Sequence, residues 1–302
     1  MSDVAVVIPS WNTRELLLDC LRSLDASEPP PREVVVVDNA SSDGSAAAVR
    51  REFPHVALLE NRENQGYTRA CNQGLAASRA PLVLLLNADA RLERDTLAEL
   101  VRFLDREREY GAVAPRLENP DGTLQPSIMR LPGRLTPLCF ATPCERWFPQ
   151  NAELRRYFAR DFDYESDADV EQPAAACLLV RRATLEKLGG LDERLWLFFS
   201  DVDLAARILR TGERIRYLAS ARATHHLGRS TRQFADFLSR WHADRLLYYR
   251  AHFGRATAWW VKLCVVFAYA DFALRQAWAG VVRRPHEPVR PVTRALFAFL
   301  AR

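Results

Sequence analysis

The 302-residue chain has very little lysine and no glycine-rich phosphate loop. Lysine occurs only at Lys187 and Lys262, so 40 of the 42 basic residues are arginine, which we attribute to genome composition. The early segment VVIPSWNTRE contains no glycine. A nucleotidylyltransferase would need a glycine-rich N-terminal loop and an early lysine. A dinucleotide dehydrogenase would need G-x-G-x-x-G after its first strand. The sequence therefore argues against both classes of enzyme.

The sequence also lacks the patterns of a metal-binding cysteine pair and of a secretion signal. The six cysteines form no C-x-x-C pair, and Cys139 and Cys144 have no matching histidine cluster, which argues against zinc. The N-terminus, MSDVAVVIPS, lacks a basic segment followed by a long apolar run, so we expect no signal peptide. Reduced cysteines and a cytoplasmic location are the resulting expectation.

The apolar segment 257–284 lacks a long uncharged run. Its longest internal uncharged run, between Lys262 and Asp271, has eight residues. A membrane-spanning helix needs about 20 predominantly apolar residues, so we predict that this segment does not cross a membrane. Its tryptophans and flanking arginines favour a helix at a membrane interface. A helix packed on the protein is the alternative, and the sequence leaves both open.

Charge is unevenly distributed along the chain. The net charge is only +4, but the segment from Arg250 to Arg302 carries nine basic and two acidic residues, or +7. This asymmetry predicts an anionic partner near the C-terminus, for which an anionic membrane surface is one candidate. We expect no nucleic-acid partner.

Strand-like and helix-like segments alternate over the first 117 residues. This alternation predicts a mostly parallel sheet covered by helices on both faces. The predicted strands are 4–9, 34–37, 56–60, 82–87 and 112–117, and the predicted helices are 13–25, 41–53, 67–78 and 93–107.

The pattern changes after residue 117. Residues 118–172 are predicted to be an irregular insertion, such as a lid or an acceptor-binding flap, because prolines and aromatic residues are scattered through them. A strand and a helix are predicted within 174–193. The later predictions are a helix over 201–212, a short strand over 215–218 and an amphipathic helix over 231–252.

Polar residues follow two of the apolar strands. Asp38 and Asn39 end the second strand, and Asn87 and Asp89 end the fourth, which could be its neighbour. Ligands of such sheets bind beyond the carboxyl ends of the strands. Two carboxylates there could bind a nucleoside and a divalent cation that neutralises a diphosphate. The alternative is that both aspartates cap the helices that follow.

Two further groups are candidates for chemistry. Asp201 and Asp203 lie at the start of a predicted helix, whose dipole stabilises a carboxylate and would keep it ionised. Such a carboxylate could accept a proton from an attacking hydroxyl. His225 and His226 are adjacent on an extended segment, so one could reach a metal while the other is structural.

Seven motifs in order over about residues 4–231 resemble the family 2 nucleotide-sugar glycosyltransferases of inverting mechanism and GT-A fold. The closest resemblance is to the rhamnosyltransferase-like branch that builds bacterial surface polysaccharides. The motifs are VVIPSWN, VVVVDNASSDGS, ENQGYTRACNQGL, LLLNADA, ACLLVRRATLEKLGGLDE, FFSDVDLAARILRTG and HHLGRS.

The resemblance implies a GT-A (Rossmann-like) α/β domain over 1–231, in which 118–172 is the acceptor-side insertion, and a basic C-terminal helical region over 232–302. It implies Asp201 as general base and Asp89 with His225 as ligands of Mg²⁺ or Mn²⁺. Contacts to the diphosphate or acceptor are implied for Arg229, Ser230, Trp196 and Asp203. The implied donor-nucleotide residues are Pro9, Ser10, Asn12, Asp38, Asn39, Asn64, Gly66, Arg69, Asn72, Asn87, Ala88 and Asp89.

Two positions depart from the family pattern. Asn87 replaces the first acid of the family's D-x-D motif, which is usual in the rhamnosyltransferase-like branch. Ser200 replaces the glutamate that usually precedes the base, and serine cannot supply its charge.

The implied activity is metal-dependent transfer of a sugar from dTDP-rhamnose or a UDP-sugar to a glycan or lipid-linked acceptor. It would take place in the cytoplasm or at the inner face of the membrane. A catalytically degenerate scaffold that binds nucleotide or membrane is the alternative function.

Overall fold

A computed structural model describes residues 1–226, 237–281 and 289–301. The described residues form two compact units that are each discontinuous in sequence. The first comprises the described residues of Met1–Met129 and Phe162–Ala235, and the second those of Arg130–Asp161 and Asp236–Arg302. This division differs from the predicted one because 130–161 groups with the C-terminal helices.

The strands and helices follow in chain order. The strands are β1 (Ser2–Ser10), β2 (Pro31–Asp38), β3 (Ala57–Glu60), β4 (Leu82–Leu86), β5 (Ala90–Leu92), β6 (Tyr110–Glu118), β7 (Ile128–Met129), β8 (Ala168–Asp169), β9 (Gln172–Pro173), β10 (Cys177–Arg181) and β11 (Arg214–His225). The helices are α1 (Arg14–Asp25), α2 (Ser45–Glu52), α3 (Tyr67–Ala77), α4 (Thr96–Arg106), α5 (Thr136–Cys139), α6 (Pro143–Trp147), α7 (Ala152–Tyr157), α8 (Arg182–Leu188), α9 (Ser200–Arg210), α10 (Phe237–Phe253), α11 (Arg255–Val281) and α12 (Val289–Leu300).

The first unit is built on one mostly parallel sheet, as predicted. Within the described residues the strand order is β3-β2-β1-β4-β10-β6-β11-β5, with β8 also paired to β11. Strands β1–β4, β6 and β11 run in one direction, whereas β10, β5 and β8 are antiparallel to their neighbours. The valine and leucine runs of β1, β2 and β4 are buried because helices cover both faces of a parallel sheet.

Three details of the sheet correct the predictions. Strand β1 lies between β2 and β4, so the strands that end at Asp38 and Asn87 are not neighbours. Strand β5, not a helix, follows Asp89. Strand β11 extends over twelve residues instead of the predicted four, because it continues through a register shift to pair with the end of β6 and with β5. The carboxyl ends of β1, β2 and β4 nevertheless lie on one edge.

The second unit combines α5–α7 with α10–α12. Arg245 of α10 is buried, and its Nη2 donates to the carbonyl of Pro137 at 2.9 Å. The Tyr249 hydroxyl donates to the Gly133 carbonyl at 3.2 Å. Buried residues run consecutively from Ala243 to Leu246, so the described part of α10 is buried around its circumference there and is not the predicted amphipathic helix. Residues 130–161, which are the central part of the predicted 118–172 insertion, are therefore a packed part of this unit.

Among the described residues, α11 is long and apolar enough to cross a membrane, by length and composition alone. The candidate span, Arg255–Ala279, has a mean hydropathy of 1.4, and 28% of its most apolar window is buried. Val261 and Cys264 are buried, whereas Trp259 and Leu263 are exposed. One side of the helix therefore packs within its unit and the other does not. That this segment does not cross a membrane stays a prediction.

Candidate active site

The loops after β1 and β2 are held together by polar contacts at the carboxyl edge of the sheet. Ser10 pairs with Asp38 in register, and the Asn39 N–H donates to the Ser10 carbonyl at 2.8 Å. Asn12 has a φ of 52°, and its N–H donates to the Ser41 Oγ at 2.9 Å. These contacts fix the backbone next to Pro9, which the sequence resemblance assigned to the nucleotide pocket.

Asp38 is buried, and one of its carboxylate oxygens accepts nothing from the described residues. The residue is 3% exposed, and its Oδ2 accepts the Ser41 N–H at 3.0 Å. Its Oδ1 is buried and has no hydrogen-bond partner within the described residues. The capping alternative is wrong for Asp38, since α2 begins only at Ser45, whose N–H donates to Asp43. A buried acceptor without a donor indicates a place for a ligand donor.

A network of amides extends from Asp38 along this edge. The Asn39 Nδ2 donates to the Gly66 carbonyl at 3.1 Å, and the Asn61 Nδ2 donates to the Asn39 Oδ1 at 2.8 Å. Asn61 also exchanges hydrogen bonds with Gln73. Asn39 is therefore placed beside Asp38 with its amide already engaged by the protein.

Gly66 brings the start of α3 against the loop before α9. The Asn64 Oδ1 accepts the Gly66 N–H at 3.0 Å, and the Tyr67 N–H donates to the Trp196 carbonyl at 2.7 Å. Gly66 has a φ of 90°, and a Cβ atom there would lie 2.6 Å from the Trp196 carbonyl oxygen. Three residues that the resemblance implied, Asn64, Gly66 and Trp196, therefore lie around one contact.

Arg69 and Asn72 contact the 190–196 loop from the side of α3. Asn72 accepts the Leu191 N–H at 2.9 Å and donates to the Leu191 carbonyl at 2.9 Å. Arg69 lies 4.0 Å from Glu193 as an exposed ion pair. Because the Asn72 amide is occupied in holding this loop, we do not propose a nucleotide contact for it.

Asp89 and His225 lie close together at the same edge, although they are 136 residues apart in sequence. The His225 Nε2 lies 3.4 Å from the Asp89 Oδ1 and 3.4 Å from the Asn87 Nδ2. Asp89 and His225 are 4% and 6% exposed. The Asp89 carbonyl accepts the His226 N–H at 2.9 Å, which ties the segment that contains Ala88 to the end of β11.

Gln125 orients His225 from the opposite side. The Gln125 Nε2 donates to the His225 carbonyl at 3.1 Å and to the Asn119 Oδ1 at 2.9 Å. The Gln125 Oε1 therefore faces the His225 Nδ1, at 2.8 Å, as an acceptor. This arrangement assigns the proton to Nδ1 and leaves the Nε2 lone pair facing both the Asn87 Nδ2 and the Asp89 Oδ1, each at 3.4 Å.

A cation fits between the two groups. A carboxylate oxygen and an imidazole lone pair 3.4 Å apart are both acceptors, so they repel unless a proton or a metal ion lies between them. Carboxylate and imidazole are both ligands of divalent metals. The described residues contain no group of three or more His, Cys, Asp or Glu side chains that could hold a metal alone. Further ligands would come from substrate oxygens or water.

Asp201 is the partly buried first acid of α9. Its Oδ1 accepts the Val202 N–H at 2.8 Å, and the Gln172 Nε2 lies 3.5 Å from its Oδ2. Burial raises the pKa of Asp201, although hydrogen bonds from backbone N–H groups, including Ala175, and from Gln172 act in the opposite direction. Desolvation is the largest of these effects and opposes the stabilisation of the charged form that a helix N-terminus provides.

The pKa of Tyr67 is affected by both Asp89 and Asp201. Burial raises the pKa of Tyr67, and the neighbouring Cys71 and the carboxylates of Asp201 and Asp89 raise it further. Its hydroxyl donates to the Ala175 carbonyl at 3.4 Å. Asp89 and Asp201 are therefore both within electrostatic range of one hydroxyl group.

Asp203, for which the resemblance implied a contact to the diphosphate or acceptor, forms an ion pair within the protein. It is buried, and its Oδ2 accepts the Arg207 Nε at 2.6 Å. Arg207 in turn donates to the carbonyls of Leu188 and Gly190. Ser200 is also buried, and its hydroxyl donates to the Leu197 carbonyl at 2.8 Å.

The predictions for Arg229 and Ser230 lie outside the described residues. Conversely, the sequence reasoning missed Gln125, Gln172 and Tyr67. Tyr67 lies within a quoted motif, and the two glutamines lie in a segment without a regular pattern.

Comparison with protein families identifies a match that covers most of the chain. The model of "Glycosyl transferase family 2" matches residues 5–189. The chain is 30% identical over 273 residues to the N-acetylglucosaminyl-diphospho-decaprenol L-rhamnosyltransferase of Mycobacterium tuberculosis. This match covers 86% of the chain and 87% of that protein.

Solved structures share the fold at low sequence identity. The mannosyltransferase PcManGT from Pyrobaculum calidifontis, solved with GDP-Man and Mn²⁺, gives a TM-score of 0.53 at 23% identity, over 99% of this chain and 85% of that one. Staphylococcus aureus TarS 1–349 with UDP-GlcNAc gives 0.55 at 17% identity, over 89% and 72%. These likenesses confirm the predicted GT-A fold.

Proposed function

Because the chain belongs to glycosyl transferase family 2 and is therefore a glycosyltransferase, we propose that it moves a sugar from a nucleoside-diphosphate sugar to a hydroxyl of a lipid-linked glycan. The observation that carries this proposal is the difference in surroundings among three buried or partly buried acids of the first unit. Asp38 has an oxygen without a donor from the described residues, and Asp89 faces an imidazole. Asp201 accepts hydrogen bonds from neutral groups, including the Val202 N–H.

The nucleoside is assigned to the end of β2. The Oδ1 of Asp38 would accept the N3–H of a uracil or thymine base, which supplies the donor that the described residues lack there. Ser10 and Asn12 fix the adjacent backbone. Asn39 and Gly66 shape the neighbouring wall.

A divalent cation, Mg²⁺ or Mn²⁺, is assigned to Asp89 and His225, with Asn87 beside them. When bound, it would neutralise charge on the diphosphate leaving group. Gln125 would hold the histidine in the tautomer that leaves Nε2 available, as outer-shell partners do in other metal sites. A metal ion held by only two protein ligands would have further coordination positions open to diphosphate oxygens.

The reaction is proposed to be a single displacement with inversion. Asp201 takes the proton of the acceptor hydroxyl while the oxygen of that hydroxyl forms a bond to the anomeric carbon. The bond from that carbon to the diphosphate oxygen breaks, and the nucleoside diphosphate leaves with the electron pair. The raised pKa of Asp201 supports this role, since a more basic carboxylate is a better proton acceptor once it is ionised.

The name of the mycobacterial relative supports the choice of substrates. That protein is named as a rhamnosyltransferase acting on N-acetylglucosaminyl-diphospho-decaprenol. By analogy, the donor here is proposed to be dTDP-rhamnose or a UDP-sugar, and the acceptor a sugar linked to a polyprenyl diphosphate. Such an acceptor would place the reaction in cell-surface glycan synthesis at the inner face of the cell membrane.

Slow hydrolysis of a panel of sugar nucleotides tests the donor site without an acceptor. We expect release of nucleoside diphosphate from one donor with Mn²⁺ or Mg²⁺, and little release in EDTA or in the Asp89→Ala variant. The control variant Asp19→Ala removes an exposed acid of α1 that is paired with Arg22, and it should leave hydrolysis unchanged. Equal, metal-independent release from all three proteins would contradict the assigned cation site.

A catalytically degenerate scaffold is the competing function, and Ser200 is the observation that favours it. Thermal unfolding with UDP or dTDP separates the two. If the donor site is intact, nucleotide should raise the unfolding temperature of the protein, and this rise should depend on metal. Absence of both protection and hydrolysis, with full transfer assays also silent, would favour a scaffold.

A further inference from the structure

The second unit carries the large apolar side chains that the protein leaves exposed. Among the described residues, those side chains, apart from Met1, all belong to that unit. They are Leu135, Trp147, Phe148, Trp259, Leu263, Val266, Leu274, Trp278, Val281 and Phe297. A concentration of this kind marks an interaction surface.

Five of them form a single stripe along α11. Exposed positions recur at Trp259, Leu263, Val266, Leu274 and Trp278, which are spaced by three, four or eight residues and so share one side of the helix. Trp259 is 66% exposed and Leu274 is 72% exposed. Elsewhere on the helix, Val261 and Cys264 are buried. The exposed side of α11 is therefore apolar over about 28 Å between the two tryptophans.

Lys262 and Asp271, two of the three charged residues between Trp259 and Trp278, both find partners within the unit, and the third, Arg275, is itself a partner of Asp271. The Lys262 Nζ donates to the Leu300 carbonyl at 2.8 Å and lies 4.9 Å from the Trp259 ring centroid. Asp271 accepts two hydrogen bonds from Arg146, at 2.8 and 3.1 Å, and one from Arg275 at 2.8 Å. Neither charge depends on water for a partner.

Helix α6, from the inserted segment, adds to the same surface. Arg146 binds Asp271 of α11, and the Trp147 ring contacts the Phe267 ring at a centroid distance of 6.0 Å. Trp147 and Phe148 are 52% and 63% exposed. The inserted segment therefore contributes exposed aromatic groups beside α11.

We propose that this apolar stripe, Trp259–Trp278 with Trp147 and Phe148, lies in the surface of an anionic phospholipid bilayer. Tryptophan at both ends of an apolar face suits the boundary between head groups and acyl chains. The segment Arg250–Arg302 carries a net charge of +7, which complements anionic lipid. The choice of a bilayer over other partners also rests on the proposed function, because a polyprenyl-linked acceptor is confined to a membrane.

Flotation of the full chain with vesicles tests the proposal. The vesicles are phosphatidylcholine alone or with phosphatidylglycerol, each at low and high salt. We expect binding to the anionic vesicles that weakens with salt. The variant Leu263→Gln with Leu274→Gln should bind about tenfold more weakly or worse, because two side chains that gain free energy on leaving water are replaced by amides. The matched control, Leu263→Met with Leu274→Met, keeps the apolar surface and should bind like the wild type.

Two results would overturn the proposal. Salt-independent binding to both vesicle types that resists alkaline washing would mean that α11 crosses the bilayer. Absence of vesicle binding would exclude the lipid surface, and a dimer that the Gln variant loses would then assign the stripe to a second copy.

Donor hydrolysis measured without vesicles tests the proposed function separately from the lipid proposal. Its failure would count against the donor site only, and the Gln variant should hydrolyse donor like the wild type.

Discussion

At the scale of single residues, the three acids of the candidate site differ in what their oxygens already bind. Asp38 has one satisfied oxygen and one that accepts nothing from the described residues, so it can select a ligand donor. Asp89 faces an imidazole that Gln125 holds in one tautomer, which suits a cation. Asp201 is desolvated, which raises its pKa and suits it to proton transfer.

The Asp201→Asn variant should lose about 10²–10⁴-fold in transfer rate, because a positioned base contributes that much. Donor affinity should stay unchanged, since the variant leaves the nucleoside and metal residues intact. Stability should not fall either. A carboxyl whose pKa is raised on folding costs stability when it ionises, and asparagine cannot ionise. Single-turnover transfer and donor titration measure the two effects, and near-normal transfer would contradict the assignment.

The pH profile of the wild type follows from the same shift. Asp201 is inactive as a base when protonated, so transfer should rise with pH through its raised pKa and then level off. The acidic limb should therefore lie above the range of an ordinary aspartate. Removing the Gln172 contact, which lowers this pKa, should move the limb to still higher pH in Gln172→Ala. An unchanged limb in that variant would mean that Gln172 does not act on Asp201.

Gln125 offers a test of the metal site that leaves both proposed ligands in place. The Gln125→Leu variant loses the acceptor for the His225 Nδ1–H, so Mn²⁺ affinity in the presence of UDP should fall about 10–100-fold. Gln125→Glu keeps an acceptor at that position and should retain most of the affinity. Titration with Mn²⁺ measures both. Equal affinity in all three proteins would contradict a role for Gln125 in orienting a metal ligand.

At the scale of elements, the contact between α3 and the 190–196 loop depends on the absence of a side chain at Gly66. A Cβ there would meet the carbonyl oxygen and ring of Trp196 at 2.6–2.8 Å. Gly66→Ala should therefore lower the free energy of unfolding by more than about 1 kcal/mol and weaken donor binding.

Gly122 provides the matched control for this prediction. It also has a positive φ, of 81°, but a Cβ there would meet nothing within 4 Å. Gly122→Ala thus adds backbone strain without a clash. Urea unfolding of the two variants separates the two effects, and equal losses of stability would mean that the Trp196 contact contributes nothing.

The elements that the sequence predicted well are those with short-range patterns. The apolar runs of β1, β2 and β4 and the helices between them follow from local periodicity. The antiparallel β10 and the length of β11 depend on pairing with strands far away in sequence. Gln125 and Gln172 could not be found in the same way, because their partners His225 and Asp201 lie 100 and 29 residues further on.

At the scale of the whole molecule, the second unit is made from two separate stretches of sequence. The prediction of an irregular lid over 118–172 came from scattered prolines and aromatic residues, which carry no periodic signal. In the structure, Leu154 and Tyr157 of that stretch are buried, and the Phe140 ring contacts the Trp241 ring at a centroid distance of 5.7 Å. Long-range packing, which the pattern of neighbouring residues does not encode, supplies the order.

Truncation after residue 236 should therefore also disrupt the packing of residues 130–161. It removes Arg245, Tyr249 and Trp260, which hydrogen-bond the carbonyls of Pro137, Gly133 and Arg134. The apolar side chains of 130–161 would then be exposed, so we expect the truncated chain to aggregate and to bind a hydrophobic dye.

The matched control removes both stretches of the second unit. A chain that ends at 236 and has a short glycine-serine linker in place of 130–161 exposes none of those side chains, so it should stay monomeric. Arg130 and Asp161, at the two ends of the stretch, form an ion pair at 3.1 Å, so a short linker can join their neighbours. Light scattering and dye fluorescence compare the two chains. If the chain truncated after residue 236 is as monomeric as the full chain, the C-terminal helices are not needed to bury the apolar side chains of 130–161.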